Sequence, residues 1–290
     1  HADFGGEVER VLKTVDGGMN WILKASDSPN SLRDIAFNTN VKGFACGFYG
    51  TLVKSNDTGA TWDQVNLQQA LEVNFRALDF PTKEVGYVAG SNGVFLKTTD
   101  VGVTWDSLNT GFSYDLLEVE FFNNDTGFAT GSIGFSNGVI LRTYDGGISW
   151  ESVYTTSQAI PALLITKNYK IYAGGGTSPN GGHEFIIQSL DGGNTWEEIY
   201  TGPPGRTIRR GAFTTNSLIW FVDDAGSLIK TKDAGESWVV DNINPSGLSS
   251  IFFTEEDTGY VVGGLGSILK FTPCATPLDL LGKIDGAKTV

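Results

Sequence analysis

A chain of 290 residues, 40% of them hydrophobic, can bury a large core within one closed domain. Its formal net charge of −13 disfavours nucleic acid and anionic membrane surfaces as partners, and reads first as a means of solubility. No stretch approaches the ~18 consecutive apolar residues of a spanning helix, so direct membrane insertion is not expected.

The first predicted element is a hairpin over residues 10–24, in which V-L-K leads into the turn T-V-D-G-G-M-N-W from Thr14. The next unit supplies L-R-D-I-A-F from Leu32, G-F-A-C-G from Gly43, the run L-V-K, and the turn S-N-D-T-G-A-T-W from Ser55. F-R-A-L-D-F from Phe75, G-Y-V-A-G from Gly86, F-L-K and T-T-D-V-G-V-T-W from Thr98 follow. Then come L-L-E-V-E-F from Leu116, G-F-A-T-G from Gly127, I-L-R and T-Y-D-G-G-I-S-W from Thr143. A looser unit has P-A-L-L-I-T from Pro161, I-Y-A-G-G from Ile171, I-I-Q and S-L-D-G-G-N-T-W from Ser189. The fifth reads I-R-R-G-A-F from Ile208, I-W-F-V-D from Ile219, L-I-K and T-K-D-A-G-E-S-W from Thr231. The last has L-S-S-I-F-F from Leu248, G-Y-V-V-G from Gly259 and S-I-L-K, and then loses its turn motif: Phe271 replaces Ser/Thr and Pro273 replaces Asp.

Short apolar runs bounded by Gly, Asp and Ser predict strands, and no helical periodicity competes with them. The six turns share the pattern Ser/Thr-x-Asp-x-Gly-x-Ser/Thr/Asn-Trp. Their acids Asp16, Asp57, Asp100, Asp145, Asp191 and Asp233 recur every 41 to 46 residues. Four short antiparallel strands per such period make a propeller blade. The predicted fold is therefore all-β, a β-propeller of four-stranded antiparallel blades over residues 1–272. The count favours six blades, with seven as the alternative if residues 1–24 begin a trimmed blade. Closure is expected through N- and C-terminal segments that share a blade, residues 20–24 running antiparallel to 267–271, which would leave few open edges.

The turn motif has a structural logic. The Asp carboxylate can accept backbone N–H groups just ahead of it. Gly18, Gly59, Gly102, Gly147, Gly193 and Gly235 suit a backbone at positive φ. Trp21, Trp62, Trp105, Trp150, Trp196 and Trp238 close the motifs and are expected to be buried between outer strands of adjacent blades. Six of the seven Trp residues stand there, which points to one repeated packing task. An aromatic also recurs at one register of the second strand: Phe44, Tyr87, Phe128, Tyr172, Trp220 and Tyr260.

These units resemble the Asp-box (BNR-like) propellers, and most closely the photosystem II assembly and stability factor-like repeats. F-N-N-D-T-G-F-A-T-G from Phe122, followed by I-L-R-T-Y-D-G-G-I-S-W, carries the likeness, which covers residues 10–271. The resemblance implies a seven-bladed ring, which keeps that count open, and an arginine-rich surface turned to a protein partner. Sialidases, xyloglucanases and sorting receptors carry the same box, so the motif fixes the fold better than the activity.

Chemistry-bearing residues are sparse. There are two His residues, the terminal His1 and His183 in the Gly-rich stretch G-G-G-T-S-P-N-G-G-H-E, read as a loop. No metal-ligand spacing or phosphate loop occurs, so neither a metal nor a cofactor is expected. Cys46 and Cys274 are placed toward opposite ends of their strands, so no disulfide is expected. Asp34, Asp79, Glu118 and Glu120 on first strands are candidate glycosidase carboxylates, since two such groups ~5–9 Å apart could act on a glycan. Surface or strand-edge roles compete with that reading. No Arg-Ile-Pro motif of the sialidases occurs, and a single propeller lacks the second face of a xyloglucanase cleft.

One constellation stands out. Arg33, Arg76 and Arg209 share a first-strand register, with Arg210 adjacent; the other units have Leu117, Ala162 and Ser249 there. They are the candidate binding residues, placed near a channel rim, because Arg offers a rigid fork for carboxylates. Salt bridges between blades are the competing role.

The leading reading is a non-catalytic binding or adhesion propeller, extracellular or at the cell surface, presenting one face to a protein or glycan. A glycoside hydrolase and a protein-complex assembly factor are the alternatives. The start at His1 without a signal pattern reads as a mature or trimmed form. The tail 273–290 reads as a linker toward a further domain, similar to those of exported bacterial surface proteins.

Overall fold

The structure is a computed structural model that describes residues 11–24, 30–67, 72–134, 136–176, 182–244, 246–255 and 258–271. His1, Cys274 and the tail 273–290 lie outside the described residues. Five sheets contain four antiparallel strands each. Blade 1 is β3 (Leu32–Phe37), β4 (Gly43–Gly47), β5 (Leu52–Ser55) and β6 (Asp63–Gln64). Blade 2 is β7 (Phe75–Asp79), β8 (Gly86–Gly90), β9 (Val94–Thr98) and β10 (Asp106–Asn109). Blade 3 is β11 (Asp115–Phe121), β12 (Gly127–Ile133), β13 (Ser136–Thr143) and β14 (Glu151–Thr156). Blade 4 is β15 (Ala159–Ile165), β16 (Ile171–Gly176), β17 (His183–Ser189) and β18 (Glu197–Pro204). Blade 5 is β19 (Ile208–Phe213), β20 (Ile219–Asp223), β21 (Ser227–Thr231) and β22 (Val239–Asn242). Blade 6 has three described strands, β23 (Leu248–Glu255), β24 (Thr258–Gly263) and β25 (Ile268–Phe271). The hairpin β1 (Val11–Lys13) and β2 (Ile22–Lys24) forms a separate two-stranded sheet. The fold is thus an all-β, six-bladed propeller of antiparallel meander blades.

The expected pairing of the chain ends is corrected. Residues Ile22–Lys24 pair with Val11–Lys13, and Ile268–Phe271 pair with Thr258–Gly263, so the end segments do not share a sheet among the described residues. Each segment pairs with the strand next to it in the chain, which closes the shorter loop at the lower entropy cost.

The described residues fall into two compact units, one ending at Ala129 and taking in Thr143–Glu151, the other made of Thr130–Arg142 and the residues from Ser152 on. In the first, Phe44, Cys46, Leu52, Phe75, Leu78, Val88 and Leu96 fill the space between blades 1 and 2. Cys46 is a buried thiol. In the second, Tyr172, Ile186, Ile208, Phe221 and Ile229 join blades 4 and 5, and Trp220, Val222, Ile251 and Val261 join blades 5 and 6. Five aromatics of the second-strand register are buried, and only Tyr260 is half-buried.

The Asp boxes are self-contained turns. Asp57 Oδ1 accepts the N–H groups of Ala60 and Thr61, and Thr61 Oγ1 donates to its Oδ2. Asp100 and Asp191 repeat this with Val103 and Thr104, and with Asn194 and Thr195. Asp16, Asp145 and Asp233 accept the N–H of Asn20, Ser149 and Ser237. The preceding hydroxyl accepts the Gly N–H, as Ser55 does from Gly59 at 2.8 Å. Two consecutive residues then take positive φ. The second is always the motif Gly; the first is Gly17, Gly146 or Gly192 in three turns but Thr58, Val101 or Ala234 in the others.

In four boxes the carbonyl at the first positive-φ position accepts a side chain of the preceding hairpin or blade. Lys13 Nζ donates to Thr58 O, Lys97 Nζ to Gly146 O, Arg142 Nη1 to Gly192 O and Gln188 Nε2 to Ala234 O, at 2.6, 2.9, 2.6 and 3.5 Å. Each donor stands one residue before the Ser/Thr of its own box. Of the box Trp residues, Trp62 is buried and the other five are half-buried. An outer strand has solvent along one edge, so the indole packs on one face and keeps a rim in water. Phe95, Phe121 and Trp150 show the packing, with ring centroids 5.2 and 6.0 Å from the indole.

Candidate functional site

The boxes of blades 1 to 5 lie at the blade end that carries the turn between third and fourth strands, and the Asp16 box is the turn of the β1–β2 hairpin. The candidate arginines lie at the opposite end, where the first strand begins and the second turns into the third. There a bulge recurs. Pairing steps from Leu32↔Gly47 to Asp34↔Cys46, leaving Arg33 unopposed. It steps likewise over Arg76, Arg209 and Ser249. An extra residue at a bulge re-aims its side chain. In blades 1 and 2 the backbones approach closely enough beside the bulge to require Gly. A Cβ on Gly47 would lie 2.0 Å from Ser31 O, and on Gly90 2.4 Å from Asn74 O. The same carbonyls accept the N–H groups of Phe48 and Ser91, and Thr207 O accepts that of Asp224.

In the first unit, the Arg33 guanidinium lies over the Phe48 ring, 4.6 Å from its centroid. Arg76 Nη2 reaches Asp115 Oδ2 at 3.1 Å, and Asp115 Oδ1 accepts the N–H of Asn92. In the second unit, Arg209 Nη2 reaches Asp224 Oδ2 at 3.1 Å, and Asp224 Oδ1 accepts the N–H of Thr207. Arg210 stands in the ladder opposite Val222. Arg206 joins this end of blade 5 and was missed from sequence. Its Nη1 donates to Asp223 Oδ2 at 3.4 Å and Ser227 Oγ at 2.9 Å. The signal was present as three arginines within R-T-I-R-R.

Two acids of blades 4 and 5 are buried near this end. Asp223 is fully buried and accepts the N–H groups of Ala225 and Ser227 besides Arg206. Glu184, also fully buried, accepts the Tyr200 hydroxyl through Oε1 at 3.0 Å. Burial, and then the Asp223 charge, raises the Glu184 carboxyl to about 7.

The candidate glycosidase carboxylates have other partners. Asp34 Oδ2 accepts the N–H of Leu78, and Asp79 Oδ2 that of Phe121, each on the first strand of the following blade. Burial raises Asp79 to about 7. Glu118 is buried and Glu120 half-buried on β11. His183 opens strand β17 instead of lying in a loop, because its backbone pairs with Pro204; its ring meets Glu198 at 3.2 Å. Among the described residues, no group of three or more His, Cys, Asp or Glu could hold a metal ion.

A family profile described as Photosynthesis system II assembly factor YCF48 matches residues 17–112 and 205–272. The chain belongs to this family. The two matched stretches contain Arg33 and Arg76, and Arg206, Arg209 and Arg210. No curated protein sequence matches the chain. Among solved structures, the YCF48 family is represented by "YCF48 bound to D1 peptide", at TM-score 0.51 and 19% identity over 85% of this chain and 93% of that one. YCF48 from Cyanidioschyzon merolae is similar at TM-score 0.50 and 19% identity, over 85% of this chain and 97% of that one. An ancestral GH74 enzyme superposes at TM-score 0.72 with 12% identity, over 92% of this chain but 42% of its own. At such identities the structural likeness is one of fold.

Proposed function

We propose that this propeller is a non-catalytic protein-binding module that serves the assembly of a protein complex. In this reading the bulge arginines, Arg33 and Arg76 in the first unit and Arg209 in the second, are each a position that holds a carboxylate of a polypeptide. The observation that carries it is the recurrence of Arg33, Arg76 and Arg209 as the unopposed residue of the same bulge. Membership of the YCF48 family and the peptide-bound state of one solved member support a polypeptide as the partner. The ion pairs of Arg76 and Arg209 do not oppose it, since partly exposed pairs contribute only ~0–1 kcal/mol and exchange partners cheaply. Charge-assisted bonds to a carboxylate are stronger than neutral ones.

The test is binding of a labelled hexaglutamate peptide, with hexaglutamine as control, at low and moderate salt. Replacing Arg33, Arg76 and Arg209 together by Ala should weaken hexaglutamate binding at least ~10-fold and flatten its salt dependence. Unchanged affinity and salt response would remove the arginine ends from the reading. Export to the cell surface and an adhesive role are a further part of the proposal, supported by the composition of the tail 273–290. Fractionation of the native host tests it, and a wholly cytoplasmic protein would refute that part.

A further inference from the structure

Glu184 and Asp223 are two carboxylates sealed inside the second unit, beside one guanidinium. The titratable and charged groups that face Glu184 are Asp223 from β20, Tyr200 from β18 and Arg206 from the segment before β19. Glu184 Oε2 is buried and has no hydrogen-bond partner among the described residues. The wall around it is tight, since a Cβ on Gly202 would lie 2.2 Å from Glu184 Oε1. Asp223 and Asp224 are consecutive: one reaches inward to Arg206, the other outward to Arg209 and the Thr207 N–H.

We propose that a proton on Glu184 sets the position of Arg206 and, through the Asp223–Asp224 turn, of Arg209, so that the arginine end of blade 5 responds to pH. This rests on the reading above for its consequence in binding, but not for the device itself. With the proton present, Glu184 is neutral and Arg206 keeps its bond to Asp223. When Glu184 releases its proton to solvent, two buried anions face one cation. An uncompensated buried charge is costly, and it draws the nearest cation inward. The midpoint falls near neutrality, in keeping with the raised Glu184 carboxyl. Above it, Arg206 is withdrawn and the blade offers its partner less positive charge.

The experiment uses the full chain. Hydrogen exchange over residues 205–210, corrected for the intrinsic pH dependence, should slow about threefold between pH 6 and 8. In Glu184→Gln it should be flat across that range. A flat wild type, or a transition that survives in Glu184→Gln, overturns the proposal. A second readout needs no variant: the 13C carboxyl shift of Glu184 in the wild type should titrate near pH 7, and a midpoint near the ordinary ~4.3 overturns it. Hexaglutamate should bind more weakly at pH 8 than at pH 6 in the wild type only. If the exchange transition is present and hexaglutamate binds at neither pH, the proton device stands and the arginine-end reading falls.

Discussion

The residue before each motif Gly repays attention, because it must take the left-handed conformation whether or not it is Gly. Val101, at φ 65°, is the worst fitted, a β-branched side chain in a region costing ~1–2 kcal/mol for L-residues. Gly17, Gly146 and Gly192 already occupy the equivalent place in other turns. Val101→Gly should therefore stabilise the protein by up to about 1 kcal/mol after Gly's own entropy cost, read from denaturant unfolding. A loss of stability would show that the Val101 side chain contributes packing that outweighs the strain. Trp62 is the opposite case. It is 2% exposed, packs with Ala45, Val53, Val11 and Leu32, and meets Phe37 edge-on. Trp62→Ala should cost ~3–5 kcal/mol through the cavity it leaves. Trp150→Ala should cost less, since that ring is half-buried; equal losses would contradict the packing account. From sequence the six Trp residues read alike, because the motif repeats while the extent of cover depends on the neighbouring blade.

At the scale of elements, the box turn is where pH acts. Asp16 and Asp191 are held at about 2, first by the N–H of Asn20 and of Thr195, and Asp233 at about 2, first by the Ser237 hydroxyl. A carboxyl lowered on folding stabilises above its unfolded value near ~4, and that contribution is lost as pH falls toward ~2. Glu184 and Asp79, raised to about 7, act in the other sense: their cost grows as pH climbs from ~4 to ~7. Melting temperature should thus fall on both sides of a maximum near pH ~4–5, and Asp191→Asn should make the acid limb shallower. An acid limb unchanged in that variant would acquit the boxes. The turns were legible in sequence because Asp, Gly and Ser/Thr occupy fixed offsets. The bulges were not. Only pairing shows that Arg33, Arg76 and Arg209 are the residues left over; Gly47 and Gly90 stand opposite in blades 1 and 2, but Asp223 holds that place in blade 5.

For the molecule as a whole, the sheets at the two ends of the chain differ from those between. In β1–β2, Leu12, Ile22 and Leu23 are 47%, 46% and 54% exposed, whereas Leu78 and Val119 on the first strands of blades 2 and 3 are 6% and 2% exposed. In blade 6, Phe252 is 65% exposed. Fewer buried contacts mean lower local stability, so amides of β1–β2 and β23–β25 should exchange faster than those of β7–β10. Uniform protection would show that something covers these faces in solution. The period of the motif gave blades, but it could not give the pairing of the ends, because a lone hairpin and half of a shared blade have the same local sequence. The contacts from Lys13, Lys97, Arg142 and Gln188 to the next box carbonyl have an evolutionary consequence. Four of the repeats bring a donor for the box that follows, from Lys13, Lys97, Arg142 and Gln188, while Lys230 turns instead to Asp241. An in-frame duplication of about one period would insert a working joint on both sides at once, with no compensating change elsewhere. A lineage can then lengthen or shorten such a chain by whole repeats, while fractional insertions leave a donor without its acceptor and are selected against.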